Sequence, residues 1–245
     1  MNNIPTITKN LLIINVLCFL GSIVAQKYGI DLAHYLGLHF VLSEDFNLAQ
    51  LFTYMFMHGG FTHLFFNMFA VWMFGRILEQ VWGPRRFLFF YLACGVGAGL
   101  VQEVVAGVQY FMAIRGMAPE AIDLVMTEGG KALASGMNFV DGNLAYLNIV
   151  LNGLTVGASG AVYGILLGFG MTFPNEQMFV FPLPFPIKAK YFVTGYALIE
   201  LWSGMANHPA DNVAHFAHLG GMVFGFILII YWRNKHRNRY DNYYN

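Results

Sequence analysis

Residues 155–170 read TVGASGAVYGILLGFG, an almost unbroken apolar run in which Ser159 stands between small residues. The run can lie in a bilayer as a helix, where a polar side chain is costly and usually faces protein or water. The hydroxyl could make a helix-packing contact, because Gly160, Gly164 and Gly168 form a ridge that lets another helix approach. It could equally be a nucleophile, and the rest of the chain has to distinguish the two roles.

The composition indicates a polytopic membrane protein. Of the 245 residues, 57% are hydrophobic and 11% are charged, whereas soluble domains carry about a quarter charged residues. Apolar stretches of about 20 residues, enough to cross about 30 Å of hydrocarbon as a helix, recur along the chain. The formal net charge is zero, so nothing predicts nucleic-acid binding. Cys18 and Cys94 lie in apolar runs and are interpreted as small core residues.

The predicted fold class is all-α, a single integral membrane domain over residues 1–245 with six transmembrane helices in one bundle. The first apolar run lacks an A-x-A cleavage site and is interpreted as an uncleaved span. The polar insert 109–142 is predicted to lie outside and to form short amphipathic helices, and the basic tail 233–245 to bind anionic lipid in the cytoplasm. The predicted spans cover residues 11–26, 61–82, 87–108, 154–173, 189–206 and 212–232.

The distribution of Lys and Arg predicts the orientation. With the N-terminus inside, only Lys27, Arg115 and Lys131 of the 13 Lys and Arg residues fall in outer segments. The positive-inside rule therefore places both termini in the cytoplasm. We expect an integral protein of the bacterial inner (cytoplasmic) membrane whose site opens to the outer side.

In this orientation the second, fourth and sixth spans all begin at the outer side, and each begins with polar residues. These residues can share one depth, a few Å below the outer surface. Polar side chains collected at one level inside a membrane favour a functional site. They are His58, His63, Asn67, Ser159, His215 and His218.

His218 gives Ser159 a possible partner. His218, Gly221 and Gly225 fall on one helical face, and the fourth span carries a matching glycine ridge. Two such helices can pack closely enough to bring the imidazole to the hydroxyl. A neutral ring nitrogen could then take the serine proton as general base and later deliver it to the leaving amine.

A third catalytic residue is not evident from the sequence. Asp211 precedes His218 by seven residues, about 10 Å along a regular helix, which is too far for a hydrogen bond. Glu103 and Glu200 lie within predicted spans, and structural hydrogen bonds are their expected role. The prediction is therefore a Ser–His dyad, with Tyr163 able to stack on the imidazole.

Attack on an amide also creates an oxyanion, which needs built-in donors worth about 10²–10³ in rate each. His63 and Asn67 share a face of the second span, and His58 lies just above them. The Asn67 amide and a ring N–H of His58 can donate, together with the backbone N–H of Ser159.

The segments HGGFTHLFFN, GASGAVYG and AHLGGMVFG together resemble the signature of the rhomboid family of intramembrane serine proteases. The resemblance covers the second to sixth spans, about three quarters of the chain. It implies a six-helix core that cleaves single-span membrane proteins near their outer boundary through an acyl-enzyme. It implies no metal or cofactor. Many bacterial members carry a Trp–Arg pair upstream of the first histidine, and NLAQLFTYMFMH here has none.

The resemblance also assigns roles to individual residues. Ser159 would be the nucleophile and His218 the general base. His58 and Asn67 would bind the oxyanion, and Tyr163 would stack on the base. His63 would support the second span, and Gly157 would shape the serine turn.

Two alternatives stay open at this point. One is a zinc-binding membrane protein that uses His58, His63, His215 and His218 as ligands, although no H-E-x-x-H motif accompanies them. The other is a rhomboid-like pseudoenzyme that binds clients without cutting them, against which the presence of both Ser159 and His218 counts. The sequence makes no prediction about substrate identity or oligomeric state.

Overall fold

The computed structural model describes residues 4–179, 184–206 and 214–241. They form helices joined by two minimal antiparallel strand pairs, so the all-α prediction is confirmed. The helices are α1 (Thr6–Lys27), α2 (Leu32–Leu36), α3 (Gln50–Thr53), α4 (Phe61–Trp82), α5 (Pro84–Ala113), α6 (Pro119–Ala134), α7 (Gly142–Asn152), α8 (Ser159–Thr172), α9 (Ala189–Ala206) and α10 (His215–Asp241). Strand β1 (Leu38–His39) pairs with β2 (Leu154–Thr155), and β3 (Gln177–Met178) pairs with β4 (Ile187–Lys188).

Four of the described helices are long and apolar enough to cross a membrane. They are Thr6–Lys27, Phe61–Trp82, Pro84–Ala113 and His215–Lys235. Helix α9 agrees with the fifth predicted span at both ends, and α8 is a shorter apolar helix. Helix α4 contains a π-helical segment, Val71–Gly75, where it passes the buried core.

Three of the described helices differ in their bounds from the predicted spans. The fourth span begins at Ser159 and not at 154, because Leu154–Thr155 pair with β1 and Gly157 breaks the helix with a φ of 127°. Helix α5 is longer than predicted at both ends, since Pro84 can occupy its first turn. The last helix continues to Asp241 through the predicted tail. Residues 212 and 213 of the sixth predicted span, and 242–245 of the tail, lie outside the described residues.

The insert after α5 folds into α6 and α7, which form their own small core. Its centre is built from buried side chains of α5, α6 and α7, among them Tyr110, Val125 and Leu147. Amides tie α6 to α7, because Asn148 donates to the carbonyl of Gly129 over 3.2 Å. The insert therefore packs against the membrane domain, and through β2 it leads directly into α8.

The first helix is held at its N-terminal end by a buried carboxylate. Glu79, only 4% exposed, accepts the backbone N–H groups of Ile7 and Thr8 at 2.9 and 2.7 Å. It also accepts the Thr8 hydroxyl at 2.7 Å. These bonds occupy N–H groups that have no acceptor within α1, which explains why a charged residue is buried here.

Helix α8 lies at the centre of the bundle, between α5 and α10, and its contacts depend on glycine. A Cβ on Gly221 would lie 1.8 Å from the carbonyl oxygen of Gly160, and one on Gly164 would lie 2.5 Å from the Cys94 sulfur. Such distances are possible only where no side chain exists. The predicted close packing of two glycine-edged helices is confirmed, and it brings α8 and α10 into backbone contact.

We predict that Gly221→Ala forces α8 and α10 apart, because its methyl group would collide with backbone that cannot move alone. The free energy of unfolding should fall by about 1–3 kcal/mol or more, as in overpacked cores. Thermal unfolding of the detergent-solubilised protein measures this loss. Gly195→Ala is the control, since nothing lies within 4 Å of a Cβ at that helical position. Equal melting temperatures for the two variants would contradict the packing argument.

Candidate active site

Ser159 and His218 meet across the contact between α8 and α10. Ser159 is the first residue of α8 and is half-buried, whereas His218 lies in the first turn of α10 and is 8% exposed. The Ser159 Oγ and His218 Nε2 atoms are 2.8 Å apart, an ordinary hydrogen-bond distance. The predicted pair of side chains is therefore brought together by the fold.

The second ring nitrogen of His218, Nδ1, contacts Glu200, for which the sequence predicted only a structural role. Glu200 projects from α9 and is 5% exposed, and its Oε2 lies 2.9 Å from His218 Nδ1. The same oxygen lies 2.6 Å from His215 Nδ1, and Oε1 accepts the hydroxyl of Tyr163. The sequence signal for this contact was a carboxylate in the middle of an apolar helix. Its partners on α8 and α10 could not be read from the sequence of α9.

Tyr163 stacks on the imidazole as expected. The two ring centroids are 4.2 Å apart and the planes are inclined by 10°. Because its hydroxyl bonds to Glu200, Tyr163 touches both the His218 ring and the carboxylate behind it. Asp211, predicted from the sequence to lie too far from His218 for a hydrogen bond, is outside the described residues.

The loop before the serine requires glycine. Gly157 has a φ of 127°, which side-chain-bearing residues rarely adopt, and its N–H donates to the carbonyl of Tyr54 over 2.9 Å. A Cβ here would lie 2.6 Å from Cε1 of His63. His63 therefore packs against the serine loop.

His58 and Asn67 adjoin His63 but make no described hydrogen bond to Ser159. The rings of His58 and His63 are 5.2 Å apart, and Asn67 Nδ2 donates to the His63 carbonyl over 2.9 Å. Neither ring nitrogen of His58 finds a hydrogen-bond partner among the described residues, although the residue is 8% exposed. Burial lowers the pKa of His58 to about 4, so at neutral pH its ring is uncharged and carries one N–H.

The four-histidine zinc alternative does not match the grouping of donor atoms. Among the described residues, Glu200, His215 and His218 offer ligand atoms within 4.8 Å of one another, and a second such group is His34, His39 and Asp45. The first group contains two of the four histidines, and its members already bond to one another. This arrangement favours a hydrogen-bonded cluster around His218 over the four-histidine ligand set of the zinc alternative.

Comparison with known proteins agrees with this geometry. The family model of the Rhomboid domain matches residues 45–235, which is most of the chain and includes Ser159, His218 and Glu200.

This chain belongs to the rhomboid family.

Three rhomboid relatives illustrate the likeness. The chain is 27% identical over 193 residues to "Putative rhomboid protease YdcA" of Bacillus subtilis, covering 78% of this chain and 70% of that protein. It is 26% identical over 193 residues to "Rhomboid protease AarA" of Providencia stuartii, covering 77% and 57%. It is 26% identical over 199 residues to "Uncharacterized rhomboid protein P4H10.10, mitochondrial" of Schizosaccharomyces pombe, covering 74% and 50%.

The family and its protease-named relatives support an intramembrane protease, and the apolar helices identify an integral membrane protein. The chain spans only about half of the length of the fission-yeast relative.

We predict that Gly157→Ala reorients the serine loop, because it adds backbone strain and a collision with His63. Strain of this kind costs about 1–3 kcal/mol. Labelling of Ser159 by a fluorophosphonate should become slower. Gly116→Ala is the matched control, since Gly116 also has a positive φ, 77°, but nothing lies within 4 Å of its Cβ position. Additional replacement of His63 by Ala should relieve the collision; if it brings no recovery, His63 is not the obstacle.

Proposed function

We propose that this rhomboid protein is an intramembrane serine endopeptidase that hydrolyses peptide bonds in or near transmembrane segments of other membrane proteins. The observation that carries the proposal is the 2.8 Å separation of Ser159 Oγ and His218 Nε2 on two helices in close contact. A serine that only served helix packing would need no imidazole at hydrogen-bond distance. A pseudoenzyme would need neither side chain.

In the first half of the reaction, His218 Nε2 takes the hydroxyl proton while Ser159 Oγ attacks the scissile carbonyl carbon. The carbonyl π electrons move to oxygen and give a tetrahedral oxyanion. When the C–N bond breaks, the imidazolium returns its proton to the amine, which leaves. The remaining carbonyl is an ester of Ser159, the acyl-enzyme.

The oxyanion needs donors, and three groups near Ser159 can supply them. Ser159 begins α8, so its backbone N–H has no acceptor within the helix and points out of the positive end of the helix dipole. His58 has a neutral, buried ring with no described hydrogen-bond partner, and Asn67 has a second amide N–H besides the one bonded to His63. We assign these groups to oxyanion binding.

In the second half, water attacks the ester, and His218 again removes the proton and passes it to Ser159 Oγ. Water must therefore reach a site within the membrane. Helix α8 has 14 residues, about 21 Å of rise against about 30 Å of hydrocarbon. If its inner end lies at the inner boundary, Ser159 lies about 9 Å below the outer one, in reach of a water-filled opening.

The substrates we propose are single-span membrane proteins. A transmembrane helix hides its carbonyl groups in internal hydrogen bonds, so it must unwind locally before Ser159 can reach the backbone. The Lys and Arg distribution supports an orientation with both termini in the cytoplasm and the site open to the outer side of a bacterial inner membrane.

We predict that Ser159→Ala abolishes cleavage of a generic single-span substrate by the purified protein in detergent or liposomes. Removal of the nucleophile leaves no covalent route, so the fluorophosphonate adduct should also be lost. A chelator should leave the cleavage rate of the unaltered protein unchanged, because the proposed chemistry uses no metal.

Three results would contradict the proposal. Residual cleavage by Ser159→Ala at the unaltered rate would exclude this serine as the nucleophile. Loss of activity with chelator, restored by added zinc, would favour the metal-dependent alternative. Binding of substrate without cleavage or adduct would identify a pseudoenzyme.

A further inference from the structure

Glu200 sits behind the base in the position of a third catalytic-site residue. Three polar groups converge on its carboxylate: the ring nitrogens of His218 and His215 at 2.9 and 2.6 Å on Oε2, and the Tyr163 hydroxyl on Oε1. These groups come from α8 and α10, while Glu200 comes from α9.

The chemistry of the carboxylate fixes the state of the base. An ionised carboxylate only accepts hydrogen bonds, so each group that bonds to it must donate. His218 Nδ1 therefore carries a proton. In a neutral ring the lone pair is then on Nε2, which is the nitrogen that faces Ser159 Oγ. This is the tautomer that a general base requires.

The carboxylate also acts on the charged state of the ring. When His218 takes the serine proton it becomes an imidazolium, and a carboxylate 2.9 Å from its other nitrogen stabilises that positive charge. The site is largely shielded from water, where such an interaction is stronger than in solution. The contact thus matters most as charge develops in the transition state.

We propose that Glu200 is the positioning residue of a Ser159–His218–Glu200 triad, in place of the dyad that the sequence predicts. The inference rests on the proposed serine-protease function. Glu200 acts through His218: it holds the imidazole in one tautomer and orientation and balances its charge. Through the Tyr163 hydroxyl it also fixes the ring that stacks on the base.

A purely structural role would give a different result, and the chain contains a natural comparison. Glu79 is a second buried carboxylate that also accepts three hydrogen bonds, but its partners are Ile7 and Thr8 at the inner end of α1. Glu79→Gln therefore reports what the loss of a buried carboxylate does to stability alone. Glu200→Gln reports that effect plus any effect on the base.

The experiment measures fluorophosphonate labelling of Ser159 in the purified full chain. The end point gives the fraction of folded sites, and the rate constant gives the reactivity of each folded site. For Glu200→Gln we expect the rate constant, and kcat for a single-span substrate, to fall about 10²- to 10⁴-fold with KM little changed, as for loss of an aspartate behind a catalytic histidine. A glutamine has one acceptor oxygen for three donors and carries no charge.

A conservative variant gives a readout that stability alone would not move. Glu200→Asp keeps the charge but is shorter by one methylene. It should recover part of the labelling rate constant of the unaltered protein, whereas Glu200→Gln should not.

The inference is overturned if Glu200→Gln labels at the unaltered rate per folded site, or if Glu79→Gln is slowed equally. If Glu200→Gln does not fold, Glu200→Asp decides: a rate constant identical to that of the unaltered protein would overturn the inference, and a partial loss of rate would support it. Failure of the proposed function is distinct, because then the unaltered protein itself gives no adduct at Ser159.

Discussion

The approach of the Gly160 carbonyl to Gly221 is the contact on which the arrangement of this membrane domain depends. It holds α8 and α10 at a separation that no residue with a side chain allows. Ser159 is the neighbour of Gly160, and His218 lies one turn from Gly221, so the distance between their side chains is set by this backbone contact. An extra methyl group between the helices would move the hydroxyl beyond hydrogen-bond reach of the imidazole.

Burying a carboxylate in an apolar bundle is costly unless its oxygens are bonded, and Glu200 meets this condition with donors from α8 and α10. The same bonds connect the three helices at the level of the serine. Structure and reactivity are therefore not separable at this point. His218, which donates a hydrogen bond to the carboxylate, is also the residue whose protonation state changes in the proposed reaction.

The parts of this site that follow short-range rules could be predicted from the sequence. Glycines at helical spacing beside Ser159 and His218 indicated the α8–α10 contact, because spacing along one helix defines a face. The role of Glu200 could not be predicted, since its partners lie 15 to 37 residues away on other helices. The start of α8 was misplaced because Leu154 and Thr155 are as compatible with a helix as with the strand they form.

Helix α8 is buried along most of its length, whereas α1 exposes many large apolar side chains on the outside of the bundle. Ser159, the proposed nucleophile, is thus carried by an inner helix and not by the perimeter. A change in the viscosity or acyl-chain order of the surrounding lipid acts first on the outward faces of helices such as α1, where the exposed side chains need only be apolar. Amino-acid drift can therefore accumulate on those faces, while α8 stays intolerant of any added volume.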